Sequence, residues 1–227
     1  MNIVARHDDG AETMLDSRSN VALACALSAL AGYVDAIGFL HLGGLFVSFM
    51  SGNSTRMGVS LAEGQWLNAA KALGLIVLFV FGAAAGSLIV LSRGANRQPR
   101  LLLAEALLLV AAGLCYVLGL SNFAVAAIVV AMGLENAVFQ IRGGAGLGLT
   151  YVTGALVKVG QLLAAALTGG ARWGWVPNLL LWAALVTGSS CGGLAYYWIN
   201  LAAIWFAAGA ALALSGITAF LTQAGRR

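Results

Sequence analysis

Two stretches decide how this chain sits in a membrane: residues 45–62, LFVSFMSGNSTRMGVSLA, and residues 146–168, GLGLTYVTGALVKVGQLLAAALT. Each is long enough to reach deep into a bilayer. Each also carries hydroxyls, glycine and one full positive charge near its middle, Arg56 in the first and Lys158 in the second. Around them lie six apolar runs of spanning length, at 21–42, 67–92, 101–120, 122–141, 176–198 and 200–223.

The composition agrees. The chain has 227 residues, of which 61% are hydrophobic and 9% charged, with a mean hydropathy of +0.92. A soluble domain runs near about 25% charged. This composition excludes a disordered chain, a disulfide scaffold and an ordinary soluble enzyme, and it leaves an all-α polytopic membrane protein with the lipid bilayer as its first partner. The net charge of +4 is spread between apolar runs, which reflects membrane orientation rather than nucleic-acid binding. Cys25, Cys115 and Cys191 all lie within apolar runs, and His7 and His41 are the two histidines. No Cys/His spacing suits a metal, and no cofactor is expected. Residues 1–20 are polar and are expected to form a cytoplasmic tail, with the first apolar run serving as signal and anchor.

Charge decides between eight crossings and six. If both polar-centred stretches cross, the basic loop RGANRQPR at 93–100 faces outside, against the positive-inside rule. If both enter and leave on one face as re-entrant or broken helices, Arg6, Arg18, Arg93, Arg97, Arg100, Arg142, Arg172, Arg226 and Arg227 all become cytoplasmic. Six spans with both termini inside are therefore expected, and Lys71 snorkels at the outer edge.

The halves also echo each other. Asp35 pairs with Glu135, Gly43 and Gly44 with Gly143 and Gly144, Ser51 with Thr153, Gly52 with Gly154 and Arg56 with Lys158. Further on, Gly82 and Gly86 keep step with Gly188 and Gly192. Residues 21–120 and 121–227 thus read as two membrane repeats. Three spans per half is an odd number, so the repeats are inverted, an arrangement recurrent in transporters. The two polar-centred stretches would then approach each other from opposite faces and enclose a polar midplane cavity.

Residues 31–58, AGYVDAIGFLHLGGLFVSFMSGNSTRMG, together with GLENAVFQIRGG and LTYVTGALVKVG further on, resemble the YoaK-type family of bacterial membrane proteins. That family has a G-Y-x-D-A stretch before an F-x-x-x-x-[ST]-G-N element, and a later N-A…T-Y-V-T-G motif. Ser51 stands where the family more often has Thr, and the hydroxyl is kept. The resemblance spans nearly the whole chain. It implies a multi-pass inner-membrane protein and supplies no activity.

The candidate site collects the polar groups expected at membrane depth: Asp35, Ser51, Gly52, Asn53, Arg56, Glu135, Asn136, Thr150, Tyr151, Thr153, Gly154 and Lys158. Charge within a span costs at least about 2.5–3.5 kcal/mol, so each carboxylate calls for a partner or a task. Asp35 and Glu135 read either as proton- or cation-coupling groups or as ion-pair partners of Arg56 and Lys158. Gly52 and Arg56 share a helical face, as do Gly154 and Lys158, which makes an anion-binding corner the rival to counter-charge. The hydroxyls and amides either present groups to a solute or satisfy backbone freed by the helix breaks.

The function that fits is a transporter or channel for a small solute or ion in the inner (cytoplasmic) membrane. A non-transporting scaffold or assembly protein is the alternative. An intramembrane enzyme is disfavoured because no nucleophile-and-base pair, metal triad, G-x-S-x-G or P-loop pattern occurs. A homo-oligomer is compatible with the chain's small mass.

Overall fold

The structure is a computed structural model that describes residues 18–92, 97–138 and 152–224. Eight helices follow in order: α1 Arg18–His41, α2 Met50–Ala62, α3 Trp66–Leu91, α4 Arg97–Val117, α5 Ser121–Glu135, α6 Val152–Leu167, α7 Val176–Ile199 and α8 Ile204–Ala224. No strand occurs among the described residues.

Length separates the helices into two kinds. A 30 Å hydrocarbon core needs about 20 helical residues. The chain meets this in five apolar stretches: Asn20–His41, Trp66–Leu91, Arg97–Val117, Ser121–Val138 and Val176–Ala224. The last runs for 49 residues, which as one helix would reach roughly 74 Å. It is broken instead at Asn200, whose φ of 52° lies in the left-handed region that Asn tolerates better than most residues. A single 3₁₀ turn, Asn200–Ala203, then leads into α8. By contrast α2 has 13 residues and the described part of α6 has 16, short of that length.

Turn chemistry fixes the ends. Gly43 and Gly44 take φ of 63° and 105° and close α1, with the Gly44 N–H donating to Phe39 C=O at 2.8 Å. Gly119 at φ 75° does the same after α4, where the Leu120 N–H reaches back to Cys115 C=O at 2.8 Å. Pro177 stands in the first turn of α7, where its missing N–H costs nothing.

Packing follows small residues. α1 lies along α7 and α3 along α5, while α4 is shared between α5 and α8; α2 rests on α3 and α6 on α7. A methyl at Gly188 would strike the Ala29 carbonyl and one at Gly192 the Tyr33 carbonyl. On the other pair, Gly82 faces the Val130 carbonyl in the same way and Gly86 that of Leu134. The opposed glycines match too: Gly32 meets the Leu185 carbonyl and Gly133 that of Phe79. The Gly82/Gly86 and Gly188/Gly192 elements therefore seat helices backbone to backbone within one protomer.

Gly32 and Gly133 hold like places in the two crossings, and three residues beyond them stand Asp35 and Asn136.

The core forms where α1, α4, α5 and α8 converge, around Val34, Ile37, Leu109, Ile128, Met132 and Ile204. A second cluster joins Leu27, Leu101, Leu102, Leu134 and Leu181. Much of the remaining apolar surface points outward, including Leu88, Phe123, Leu194 and Phe220, as a lipid-facing exterior requires. Trp66, Trp173 and Trp198 are exposed near helix ends, where an aromatic belt belongs.

Candidate functional site

Between α1 and α2 the chain runs without regular structure from Leu42 to Phe49, and its backbone groups must find partners elsewhere. Two side chains supply them. Asp35 Oδ1 accepts from both the Val47 and the Ser48 N–H at 2.8 Å. Asn53, wholly buried in the first turn of α2, accepts from the Phe46 N–H at 2.8 Å and donates to the Phe46 C=O at 2.7 Å. Asp35 and Asn53 thus stitch the break to the helices on either side of it. Gly52 lets the rings of Phe46 and Phe49 lie against the start of α2.

This break faces α6 across a cavity of about 540 Å³. Its polar lining comes from Asp35, Ser48, Thr153 and Ser189, and its apolar walls from Phe39, Phe46, Phe49, Leu156 and Leu185. One polar-centred stretch and the opening turns of the other therefore share a single cleft, although α2 and α6 themselves do not touch among the described residues. Of the expected site residues, Asp35 and Thr153 meet here.

The others lie elsewhere. Arg56 is exposed; its guanidinium lies 5.6 Å from the centre of the Phe39 ring and against Gly44. Lys158 and Gly154 are exposed on α6, which buries only Ala155. Of the two readings of the carboxylates, the ion pair with Arg56 or Lys158 is not seen among the described residues. Asp35 spends an oxygen on the backbone, and Glu135 Oε1 has no hydrogen-bond partner. The two hydroxyl-glycine elements open their helices. Gly52 and Gly154 each stand third in α2 and α6, one turn before the exposed Arg56 and Lys158. Ser51 is exposed and its carbonyl accepts from the Thr55 hydroxyl at 3.2 Å. Asn136 donates to Met132 C=O at 2.9 Å just past the end of α5. Thr150 and Tyr151 lie outside the described residues.

One residue carries no motif and escapes a motif-based reading. Glu105, in the run LLLAEALLLV, is wholly buried on α4, and neither carboxyl oxygen has a hydrogen-bond partner. Glu135, 1% exposed, is buried near the end of α5, the helix that packs along α4. The signal available in sequence was a lone acidic residue inside an otherwise apolar span.

A second hollow of about 460 Å³ opens at the C-terminal end of α1, lined by His41, Lys71 and Asn122 among apolar neighbours. The Tyr196 hydroxyl and His41 Nδ1 stand 3.4 Å apart near it.

Comparison with known proteins adds the lineage. A UPF0700 transmembrane protein of Rhizobium meliloti is 36% identical over 199 residues, covering 88% of this chain and 86% of that protein. No solved structure matches the chain. The family model described as protein of unknown function (DUF1275) matches residues 23–217, so this multi-pass helical membrane protein belongs to the DUF1275 family.

Proposed function

We propose that the chain is a transporter or channel of the inner membrane that passes a small solute through a cleft between two inverted three-span halves. The observation that carries this reading is the cavity of about 540 Å³ between the break before α2 and the start of α6. Irregular backbone at membrane depth is stable only where protein buries it or a polar cavity borders it. Here Asp35 and Asn53 satisfy the break, while the cavity borders it on the α6 side.

The lining suggests the solute's character. Aromatic and aliphatic walls favour an apolar body, and the Asp35, Ser48, Thr153 and Ser189 groups favour a hydrogen-bonding head. The matched glycine contacts support the inverted duplication. They repeat the α1–α7 crossing in the α3–α5 crossing, as exchange of halves about a membrane-plane axis requires. In this reading α7 and α8 cross separately, α2 and α6 re-enter, and both termini are cytoplasmic. The YoaK-type likeness of the two motifs fits the same topology.

The test is uptake by proteoliposomes of a panel of labelled amino acids, sugars and weak organic acids. At least one should enter faster than into empty liposomes. Thr153→Trp, which fills the cleft, should cut that uptake at least tenfold, while Thr153→Ser retains it. A folded chain that moves none of the panel would instead favour the scaffold or assembly role.

A further inference from the structure

We infer that Glu105 and Glu135 form a proton-binding carboxyl pair in the interior of the fold, holding one exchangeable proton between them. Three observations converge on it. First, α4 and α5 are an antiparallel hairpin joined by the short turn at 118–120, and both glutamates lie roughly 20 Å along their helices from that turn. The two glutamates therefore sit at one level of the packed pair, where Leu101 and Leu102 of α4 share a buried cluster with Leu134 and Val138.

Second, both are buried, Glu105 at 0% exposure and Glu135 at 1%, yet both oxygens of Glu105 and Oε1 of Glu135 lack any hydrogen-bond partner among the described residues. Buried polar atoms left unpaired are rare in proteins, and each calls for a ligand or a task. Third, the helix changes character at this point: α5 ends at Glu135 and the chain continues as a 3₁₀ turn over 136–138. Helix breaks beside buried carboxyls are where transporters hold coupling ions.

Among the described side chains, the surroundings supply no counter-charge. α8 and the 3₁₀ turn Asn200–Ala203 contain no titratable side chain. On α3 the one ionisable group is Lys71, exposed in its second turn, whereas Glu135 is adjacent to the level of Gly86, which packs on Leu134. On α1, Asp35 is committed to Val47 and Ser48, and the Tyr33 hydroxyl donates to Ala203 C=O at 3.1 Å; Cys25 and His41 are that helix's other titratable groups with described side chains, and Arg18 stands at its far, N-terminal end. On α4 itself, Arg97 and Arg100 lie in the first turn, and Cys115 and Tyr116 near the opposite end. Two like charges side by side in an apolar interior repel without compensation, and sharing one proton removes that repulsion, as in other carboxyl dyads.

The pair does not line the cavity, so the inference needs the fold alone and holds whether or not the cleft carries a solute. Its test likewise reads protons directly. The chain has four glutamates, Glu12, Glu63, Glu105 and Glu135. In a Glu12→Gln, Glu63→Gln chain grown with carboxyl-labelled glutamate, infrared spectroscopy in lipid nanodiscs reports the pair by itself, with the pair left intact.

At neutral pH about one of the two labelled carboxyls should show the protonated stretch, and that band should shift in heavy water and disappear as the medium becomes alkaline. Glu105→Gln in the same background should change the band of the remaining Glu135, as a shared proton requires. Two ionised carboxylates at neutral pH would overturn the inference. So would two protonated groups that neither exchange in heavy water nor respond to pH.

Discussion

Asn53 holds Phe46 by both ends of its amide: the Phe46 N–H donates to Oδ1 at 2.8 Å, and Nδ2 donates to the Phe46 carbonyl at 2.7 Å. One side chain thereby replaces the two backbone bonds that Phe46 loses by leaving helical geometry. Asn53→Leu should destabilise the protein by about 1–3 kcal/mol, because both groups lose their partner in a water-poor setting. Asn53→Asp keeps the acceptor and loses the donor, so it should fall between. Thermal unfolding in detergent measures both; a leucine variant as stable as the parent would remove Asn53 from the break.

Asp35 carries a second part of the same repair through a single oxygen, which takes two N–H groups. An amide oxygen can do this as well, though more weakly. Asp35→Asn should therefore stay within about 1 kcal/mol of the parent, while Asp35→Leu should lose about 1–3 kcal/mol. The expected order is parent, Asn, Leu. Equal losses in both variants would mean that the charge, and not the accepted bonds, holds the segment.

Glycines at the helix crossings should be intolerant of even one methyl. Gly188→Ala and Gly82→Ala each set Cβ against a backbone carbonyl, of Ala29 and Val130, that cannot swing away. Each should cost about 1–3 kcal/mol. Gly209→Ala is the contrast: nothing lies within 4 Å of the added carbon, and removing a helical glycine should leave stability unchanged or raise it by up to about 1 kcal/mol. A Gly188→Ala protein that melts with the parent would contradict the backbone-to-backbone crossing.

Topology separates six crossings from eight. With Cys25, Cys115 and Cys191 replaced, single cysteines at 63, 97 and 172 can be labelled by an impermeant maleimide from either side. Position 63 should react from outside, and 97 and 172 from inside. The decisive comparison is 97 with 172, since α4, α5 and α6 lie between them. Opposite sides for that pair would make α6 a full crossing despite its 16 residues.

How much of this was legible beforehand follows from where each property resides. Spans could be read because burial in lipid is a property of the run itself: twenty apolar residues suffice whatever they touch. The two polar-centred stretches could be picked out for the same reason, and neither α2 nor α6 is among the described apolar stretches of spanning length. The Gly82/Gly86 and Gly188/Gly192 elements announced close packing because a missing side chain matters only where another backbone approaches.

What a charge does at depth is a different kind of property. The chain's order of residues placed Asp35 near Arg56 and Glu135 near Lys158, yet the fold aims Arg56 at Phe39 and leaves Lys158 exposed. It gave Asp35 to the backbone of a neighbouring loop and buried Glu135 on the helix packed along that of Glu105, which no motif marks. Sequence by itself determined the membrane class, the spans and the points of interruption, since hydropathy and helix breaking act locally. Which polar groups meet, which are satisfied and which stay unpaired was decided only by tertiary packing, because electrostatic and hydrogen-bond partners are chosen by proximity in space between helices far apart in the chain.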